Sequence, residues 1–525
     1  MHPEPSAAVV RERIAKDLVS VGGMPPVTRS VRSRVLVLLV VAAAVAGVVM
    51  RAAVQTSSLG VLDGDEAVWG LMVRHALHGE FSAFLWGQGY GGTQEVLLTT
   101  PIFAIFGTSV LGMRIVPMAL TAVAAVLVWR IGRRTIGEPA ATIAGALFWV
   151  WPPYLIWKSD RAHGFYGSGL VLATLVLLLT LRLAERRSRR DAVFLGAVLG
   201  LAWWETPQIV PIAIPALAYL AVKRRDVYRD AWLALPVAIV CALPWLISNL
   251  GHHWWSFHID SGRTPYATRL HDFFSATFPM AIALRVPFTS EWLLGTAMSA
   301  VVYGVLLLVL AFFAWRRRRE RMALLVAVAV AYPFLYAISP ATWLVDEPRY
   351  VLMLLPVLVL LMTQWVRTVR QGAIVLALGV GLSAFVLLDL ASSSQYDRRA
   401  DGLDIPRDFA PLIAELDRQG LDRVFSSYWI AYRLDFETRE RIVAAEALMQ
   451  TLSVRGGRVV PQVPTRPNDN RYPRYDSEVR SAKRPGWVLL SESADDARAR
   501  PLFDRARYTR SVVGRFAIYQ PPPES

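Results

Sequence analysis

The chain has 525 residues, 54% of them hydrophobic and 18 of them tryptophan, and its mean hydropathy is +0.38. Uncharged runs of membrane-spanning length exclude an ordinary soluble protein and mark a polytopic α-helical membrane protein. The formal charge of +15 does not read as a nucleic-acid face, because much of it sits in short arginine runs between apolar segments, where it orients helices. The single cysteine, Cys241, excludes an intrachain disulfide and a cysteine-built metal site. Lysine stands only at Lys16, Lys158, Lys223 and Lys483 against abundant arginine, a bias that hints at a GC-rich bacterium.

Residues 1–34 are polar and basic, with Gly22-Gly23 and Pro25-Pro26, and read as a disordered cytoplasmic tail. The first span is predicted at 35–54, with Arg51 snorkelling to the far interface. A cleaved signal peptide is the alternative, and the long tail and nearly full-bilayer run weigh against it. Further spans are predicted at 108–129, 139–157, 165–184, 192–206, 207–222, 231–250, 290–314, 322–341, 350–366 and 372–391, with a tight outer turn at Thr206-Pro207. Arginine-rich clusters around Arg130–Arg134, Arg182–Arg190, Lys223–Arg229, Arg316–Arg321 and Arg367–Arg370 each close an even-numbered span. By the positive-inside rule these face the cytoplasm, which gives about eleven spans and a C-terminus outside.

The predicted transmembrane domain thus covers 35–391, with outer segments at 55–107, 158–164 and 251–289. Residues 392–525 read as a small extracytoplasmic α/β domain. Phe409, Leu412, Ile413 and Leu416 give a helix over 406–419 ended by Gly420, and strands are expected at 423–428, 441–445, 486–490 and 512–519, with a linker at 461–473.

The large first outer segment begins with Asp63-Gly64-Asp65-Glu66. Carboxylates at the mouth of a helical bundle are costly to leave unsolvated and unpaired, so they invite a functional explanation. Asp63 with Glu66 three residues on is also a variant capping box, and acids suit a helix N-terminus. Capping does not use up Asp65. The stripe Val68, Leu71, Met72 and Ala76 predicts a helix lying along the interface.

The runs Asp65-Glu66-Ala67-Val68-Trp69-Gly70, Trp86-Gly87-Gln88-Gly89-Tyr90-Gly91-Gly92-Thr93-Gln94-Glu95 and Pro101-Ile102-Phe103-Ala104-Ile105-Phe106-Gly107 resemble bacterial family-39-type glycosyltransferases of the GT-C fold. These are relatives of protein O-mannosyltransferases and lipid A aminoarabinose transferases. Pro348-Arg349-Tyr350, Lys158-Ser159-Asp160-Arg161-Ala162-His163 and Tyr428-Trp429-Ile430-Ala431-Tyr432-Arg433-Leu434 are similar to further family segments. Relatives acting on lipid A carry Lys-Pro-Pro where this chain has Thr93-Gln94-Glu95, a departure that weighs against aminoarabinose transfer to lipid A. The resemblance implies an inverting hexosyl- or pentosyltransferase in the bacterial cell membrane. Its partners would be membrane lipid, a polyprenyl-phosphate sugar and an extracytoplasmic glycan, lipid or protein acceptor. It also implies that Asp65 is the base and Glu66 its support.

Such a transfer needs a base for the acceptor hydroxyl and cations for the phosphate leaving group. Outer cations available are Lys158, Arg161, Arg263, Arg269, Arg285 and Arg349, with Lys158 and Arg349 favoured by their place at span ends in family-like segments. Asp63, Gln88, Tyr90, Glu95, His163, Glu205 and Tyr350 are candidates for holding phosphate or sugar hydroxyls, with Trp203-Trp204 as a face for a sugar ring. Lipid headgroup contact and interfacial anchoring are the bland alternatives. No cofactor is expected. His252, His253, His258 and Asp260 with the first-loop acids are the material for a divalent metal, but adjacent histidines share no face. Two other classes fit the outline: a transporter or lipid flippase, and a noncatalytic scaffold. The charges gather at outer span ends rather than the midplane, which favours the enzyme.

Overall fold

The computed structural model describes residues 26–258, 264–317, 321–339, 342, 344–393, 398–400, 403–461 and 470–523. Residues 1–25 of the tail expected at 1–34, Arg263, Asp260 and most of the 461–473 linker lie outside the described residues. Helices α1 (Pro26–Thr56), α2 (Gly64–Leu77), α3 (Gln94–Phe106), α4 (Val110–Thr135), α5 (Ala140–Val150), α6 (Pro153–Ser159), α7 (Tyr166–Glu185), α8 (Arg189–Glu205), α9 (Val210–Lys223), α10 (Ala231–Cys241) and α11 (Leu243–Gly251) follow in order. After four short helical segments between Trp255 and Ala281 come α12 (Thr296–Arg317), α13 (Ala323–Ile338), α14 (Leu355–Thr363) and α15 (Val369–Ser393).

This is a multi-pass membrane protein. Among the described residues five helices are long and apolar enough to cross a membrane, and two bent pairs raise that to seven. The predicted span at 139–157 is a pair bent by 62°, and that at 231–250 belongs to a pair bent by 53°. Pro152 and Pro153 sit at the first break, where a proline cannot continue the hydrogen-bond ladder. The first helix begins at Pro26, inside the predicted tail, and the predicted outer segment 55–107 contains the apolar α3.

Small residues set helix approach where lipid offers no hydrophobic drive. Gly196 and Gly200 of α8 lie so close to α10 that a methyl group on either would overlap the carbonyl oxygens of Ala234 and Ala238. At the arginine-rich end, Arg182 grips Asp191 at 2.7 Å and Arg187 grips Asp230 at 2.7 Å, tying successive helix connections together.

The polar C-terminal stretch folds as α16 (Ala410–Gln419), β1 (Arg423–Ser426), α17 (Tyr428–Glu437), β2 (Val443–Glu446), a hairpin of β3 (Leu452–Arg455) and β4 (Arg458–Pro461), α18 (Pro473–Ser481), β5 (Gly486–Leu490), α19 (Ala494–Arg505), β6 (Thr509–Val513) and β7 (Phe516–Gln520). Five strands form one mixed sheet in the order β2-β1-β5-β7-β6, parallel from β2 to β5 and antiparallel beyond. Period-two alternation divides its faces. Val424, Val488, Leu490 and Ile518 pack with Leu412 and Leu416 of α16, whereas Phe425, Trp487, Leu489 and Tyr519 pack with Phe503 of α19.

Three local expectations are corrected. The strand expected to reach 428 stops at Ser426 because α17 starts at Tyr428, the strand expected at 512–519 is a hairpin turning at Gly514, and the helix expected from 406 starts at Ala410. The helix at 64–77 does not lie along an interface: Glu66 to Val73 are all buried, between α3 and α17. Its Gly70 admits the ring of Phe436 at a distance no side chain there would permit. The apolar cluster that includes Leu71 and Met72 continues into one face of the sheet, so the C-terminal unit packs directly on α2.

Candidate functional site

Asp63 caps α2, its Oδ1 accepting from the Glu66 amide at 2.9 Å. Only half of a capping box forms, since the Glu66 side chain turns into the protein and is fully buried. There it accepts two hydrogen bonds from Arg114, from Nε at 2.9 Å and Nη2 at 2.6 Å, and a third from the Ala162 amide at 2.8 Å. Arg161 lies 3.0 Å from the same carboxylate and 2.7 Å from Asp63 Oδ2. Burial by itself would raise the Glu66 carboxyl; Arg114 and Arg161 more than offset it and hold it below the ordinary value. His163 links this group to Lys158, its Nε2 2.9 Å from Asp63 and its Nδ1 2.9 Å from Nζ. Burial and then the charge of Lys158 lower the His163 imidazole.

The ligand atoms of Asp63, Glu66 and His163 lie within 4.8 Å of one another, close enough for a metal ion. Arg161 already occupies the space between the two carboxylates, so the cluster is balanced by guanidinium. His252 and His258 hydrogen-bond the carbonyls of Ser248 and Trp254 instead of joining it.

One residue before Glu66, Asp65 points elsewhere. A helix turns about 100° per residue, so adjacent carboxylates occupy different faces. The Asp65 side chain is 45% exposed and lines a cavity of about 370 Å³. Its Oδ1 accepts from the Tyr428 phenol at 2.6 Å, and Arg471 stands 3.9 Å away. Arg471 Nε donates to the same phenol at 3.2 Å, and the Gln88 amide, turned so that its oxygen faces the guanidinium, accepts from Nη2 at 2.8 Å. Burial would lower Arg471, yet Tyr428 and Asp65 raise it, so it is a firm cation.

Lys158, His163 and Tyr166 line the same cavity with Arg349 and Tyr350. Lys158 Nζ rests 4.3 Å from the centre of the Tyr166 ring. Arg349 donates to Glu347 at 2.8 Å, which also accepts from Tyr154 at 2.8 Å, and the Arg349 Nε has no hydrogen-bond partner among the described residues. Val210 and Pro211 of α9 with Leu335 and Ile338 of α13 supply an apolar wall, and Ile338 is largely exposed on the outer helix surface. Among the described residues, one cavity therefore holds a single carboxylate, three cations and a hydrophobic flank.

Of the residues singled out in the sequence, Asp65, Gln88, Tyr90, Lys158, His163, Arg349 and Tyr350 come together at this cavity. Glu66 does not: its carboxylate is held by Arg114 and Arg161 behind the cavity, which corrects the expectation that it is itself a catalytic group and leaves its support of Asp65 to the fixing of α2. Asp63 and Arg161 belong to the same buried layer. Glu95 and Glu205 are buried against each other through Ser168, whose Oγ bonds both, so neither meets a sugar in the cavity. Trp204 donates to the Ala83 carbonyl, and Arg269 and Arg285 bond backbone carbonyls. Sequence reasoning missed Arg114, Tyr166, Tyr428 and Arg471. Arg114 had a signal, an arginine inside a predicted span. Arg471, in a linker rich in proline and asparagine, had none.

The fold has solved counterparts. ArnT from Cupriavidus metallidurans in the apo state superposes with a TM-score of 0.64 at 14% identity, covering 93% of this chain and 99% of that one. ArnT of the same organism bound to undecaprenyl phosphate gives 0.62 at 16% identity, with the same coverage. The chain has the GT-C fold of ArnT. Residues 97–248 match the family described as dolichyl-phosphate-mannose-protein mannosyltransferase. A search of curated protein sequences returns no significant match.

Beyond the cavity, the GT-C unit and the sheet unit are clipped together at the far end of α2. Glu440 meets Arg74 at 3.1 Å and His75 Nε2 at 2.7 Å, while His75 Nδ1 meets Glu80 at 2.7 Å. Tyr475 and Tyr472 donate to Glu440 and Glu80, and Tyr472 stacks on Trp86 with centroids 4.3 Å apart. Burial pulls the His75 imidazole down, but Glu440 and Glu80 outweigh it and raise it. A raised imidazole contributes stability fully present below its unfolded value, about 6.5, and lost as pH rises through the folded value. The thermal midpoint of the purified protein is therefore expected to fall between pH 6 and pH 9, with the decline reduced in His75→Gln. Replacing Arg114 with alanine leaves Glu66 buried with only Arg161, and a loss of about 3 kcal/mol is expected, read as a lower midpoint in detergent.

Proposed function

We propose that this chain is an integral-membrane inverting glycosyltransferase that moves a sugar from a polyprenyl-phosphate donor to an extracytoplasmic acceptor. The observation that carries the reading is the cavity itself, where Asp65 shares one space with Lys158, Arg349 and Arg471 beside an apolar wall. The wall suits the first isoprene units, and Lys158 and Arg349, the cations not engaged by Asp65 and Tyr428, suit a phosphate that gains charge as the glycosidic bond breaks. Asp65 takes the proton of the acceptor hydroxyl while that oxygen bonds to the anomeric carbon. The bond from that carbon to the phosphate oxygen breaks, and its electron pair stays on the phosphate. Asp65 is the one carboxylate lining the cavity among the described residues. With no second carboxylate to form a covalent intermediate, the configuration inverts.

The solved ArnT complex contains undecaprenyl phosphate, and that lipid is the donor carrier proposed here. The sugar is a hexose or pentose, and the acceptor a glycan, lipid or protein of the envelope. Eleven spans would place the N-terminus in the cytoplasm and the sheet unit outside a bacterial cell membrane, with the paired arginines around Arg182 and Arg187 on the inner side. No metal is assigned a role. The transporter reading draws on the two bent helix pairs. The first of these carries Lys158 into the cavity at its end, so the break serves the site rather than a pathway.

The test is incubation of the purified protein with undecaprenyl phosphate carrying labelled mannose, glucose or 4-amino-4-deoxyarabinose, in the presence of envelope acceptors. Asp65→Asn is expected to lower turnover by about 10²–10⁴ while still inserting and binding undecaprenyl phosphate; equal product from both proteins would remove Asp65 from the mechanism. Arg349→Ala, which removes one of the three cations, is expected to raise the donor KM by about tenfold or more.

A further inference from the structure

The carboxylate of Asp65 and its partner Tyr428 are 363 positions apart in the chain, and the partner sits at the first turn of α17 in the sheet unit. A surface tyrosine touching a surface aspartate would carry little meaning. Here the contact is built from both sides. Tyr428 is partly buried and bonded by Arg471, and its ring lies over the N-terminus of α2, where Gly64 leaves the room: a Cβ there would sit 3.0 Å from the ring. The Arg471 backbone amide is held by Tyr432 at 2.6 Å and its guanidinium by Gln88, so the residue that steadies the phenol is steadied in turn. All of these groups except Tyr432 and Gly64 line the cavity.

The bonds fall unevenly on the carboxylate. Tyr428 and Arg471 both address Oδ1, and Oδ2 has no hydrogen-bond partner among the described residues. A carboxylate with one oxygen tied is fixed in rotation about its last bond, and the untied oxygen keeps its lone pairs for an incoming proton. We propose that Tyr428, fixed by Arg471, is a positioning residue that holds Oδ1 of Asp65 so that Oδ2 takes the acceptor's proton, which makes the sheet unit part of the catalytic machinery. This rests on the glycosyltransferase reading above. The proton passes from the acceptor hydroxyl to Oδ2, and the phenol keeps its own proton throughout. The acceptor then approaches along the face of the cavity formed by Asp65, Trp86, Gln88 and Arg471, while Lys158 and Arg349 serve the donor phosphate.

The experiment compares wild type, Asp65→Asn and Tyr428→Phe as full-length protein. Steady-state turnover is measured on whichever of the three labelled donors wild type uses, and binding of undecaprenyl phosphate is measured separately. Tyr428→Phe is expected to lower kcat about tenfold or more, with donor KM and undecaprenyl phosphate binding within twofold of wild type. Wild-type kcat in Tyr428→Phe, with Asp65→Asn inactive, overturns the positioning role and leaves the function standing. A loss that appears in KM or in lipid binding also overturns it, because a disturbed fold or donor site would then be the cause. Full turnover by Asp65→Asn instead removes the underlying function. If Tyr428→Phe does not fold, Arg471→Lys keeps the charge and deletes the bond from Nε to the phenol; a lower kcat at unchanged KM supports the proposal, and an unchanged kcat overturns it.

Discussion

A buried glutamate held by two arginines is the interaction on which the rest of the site depends. Glu66 would be costly in an apolar interior without a partner, and it receives Arg114 from α4, Arg161 and the Ala162 amide from the turn after α6, and Asp63 through Arg161. Three chain segments are thereby fixed at one point, and their outward consequences follow. The start of α2 is set, so Asp65 faces the cavity; the turn at 160–165 is set, so Lys158 and His163 reach the same space. The net gain in stability from such a pair is modest against an apolar substitute, since desolvation opposes attraction. Its value here is geometric: a broken network would leave a charge without compensation, and alternative packings that separate these segments are thereby excluded.

Two acids adjacent in sequence thus perform opposite tasks. Asp65 is half exposed and addressed by a phenol, whereas Glu66 is sealed and addressed by guanidinium groups. Rotation by one residue along α2 separates the two environments, and no difference in side-chain chemistry is needed. The neighbouring acidic pair, Glu95 and Glu205, shows what happens when no cation is supplied: the two carboxyl groups share the hydroxyl of Ser168 inside the helical unit. They tie α3 to α7 and α8.

The helical outline was legible because membrane spans are read from hydropathy alone. The apolar runs named in the sequence lie largely on helix, although that at 290–314 is helical only from Thr296, and breaks within runs were not visible, since Pro152 and Ala242 sit in segments whose average hydropathy is unaffected by the bend. The strands at 486–490 and 443–446 follow from their β-branched and apolar content, while Tyr428 lay inside a stretch whose alternation concealed the switch from strand to helix. At the site, Asp65, Lys158 and Arg349 could be proposed because each stands near a span end in a recognisable segment. Arg471 and Tyr428 could not, because their position depends on how the sheet unit docks, and docking is a property of the folded surfaces at Leu71, Phe436 and Glu440 rather than of any local pattern.

That docking has a consequence for how the site forms. Lys158 is contributed by the membrane helices, and Arg349 by the turn before α14; both are in place once the helical unit packs. The partners of Asp65 come from residues 428 and 471, which follow the helical unit in the chain, so the carboxylate is without its hydrogen bond until the sheet unit closes on α2. A base left rotating at the mouth of a cationic pocket would face water or its own cations, and the attack geometry would be poorly defined. In the proposed mechanism, bringing the constraining phenol from beyond the last membrane helix links competence for proton transfer to docking of the sheet unit. The contacts at the other end of α2, between His75, Arg74 and Glu440, keep that unit from pivoting away. A single short helix, pinned at its start by Tyr428 and at its finish by Glu440, is the element through which the sheet unit reaches the cavity.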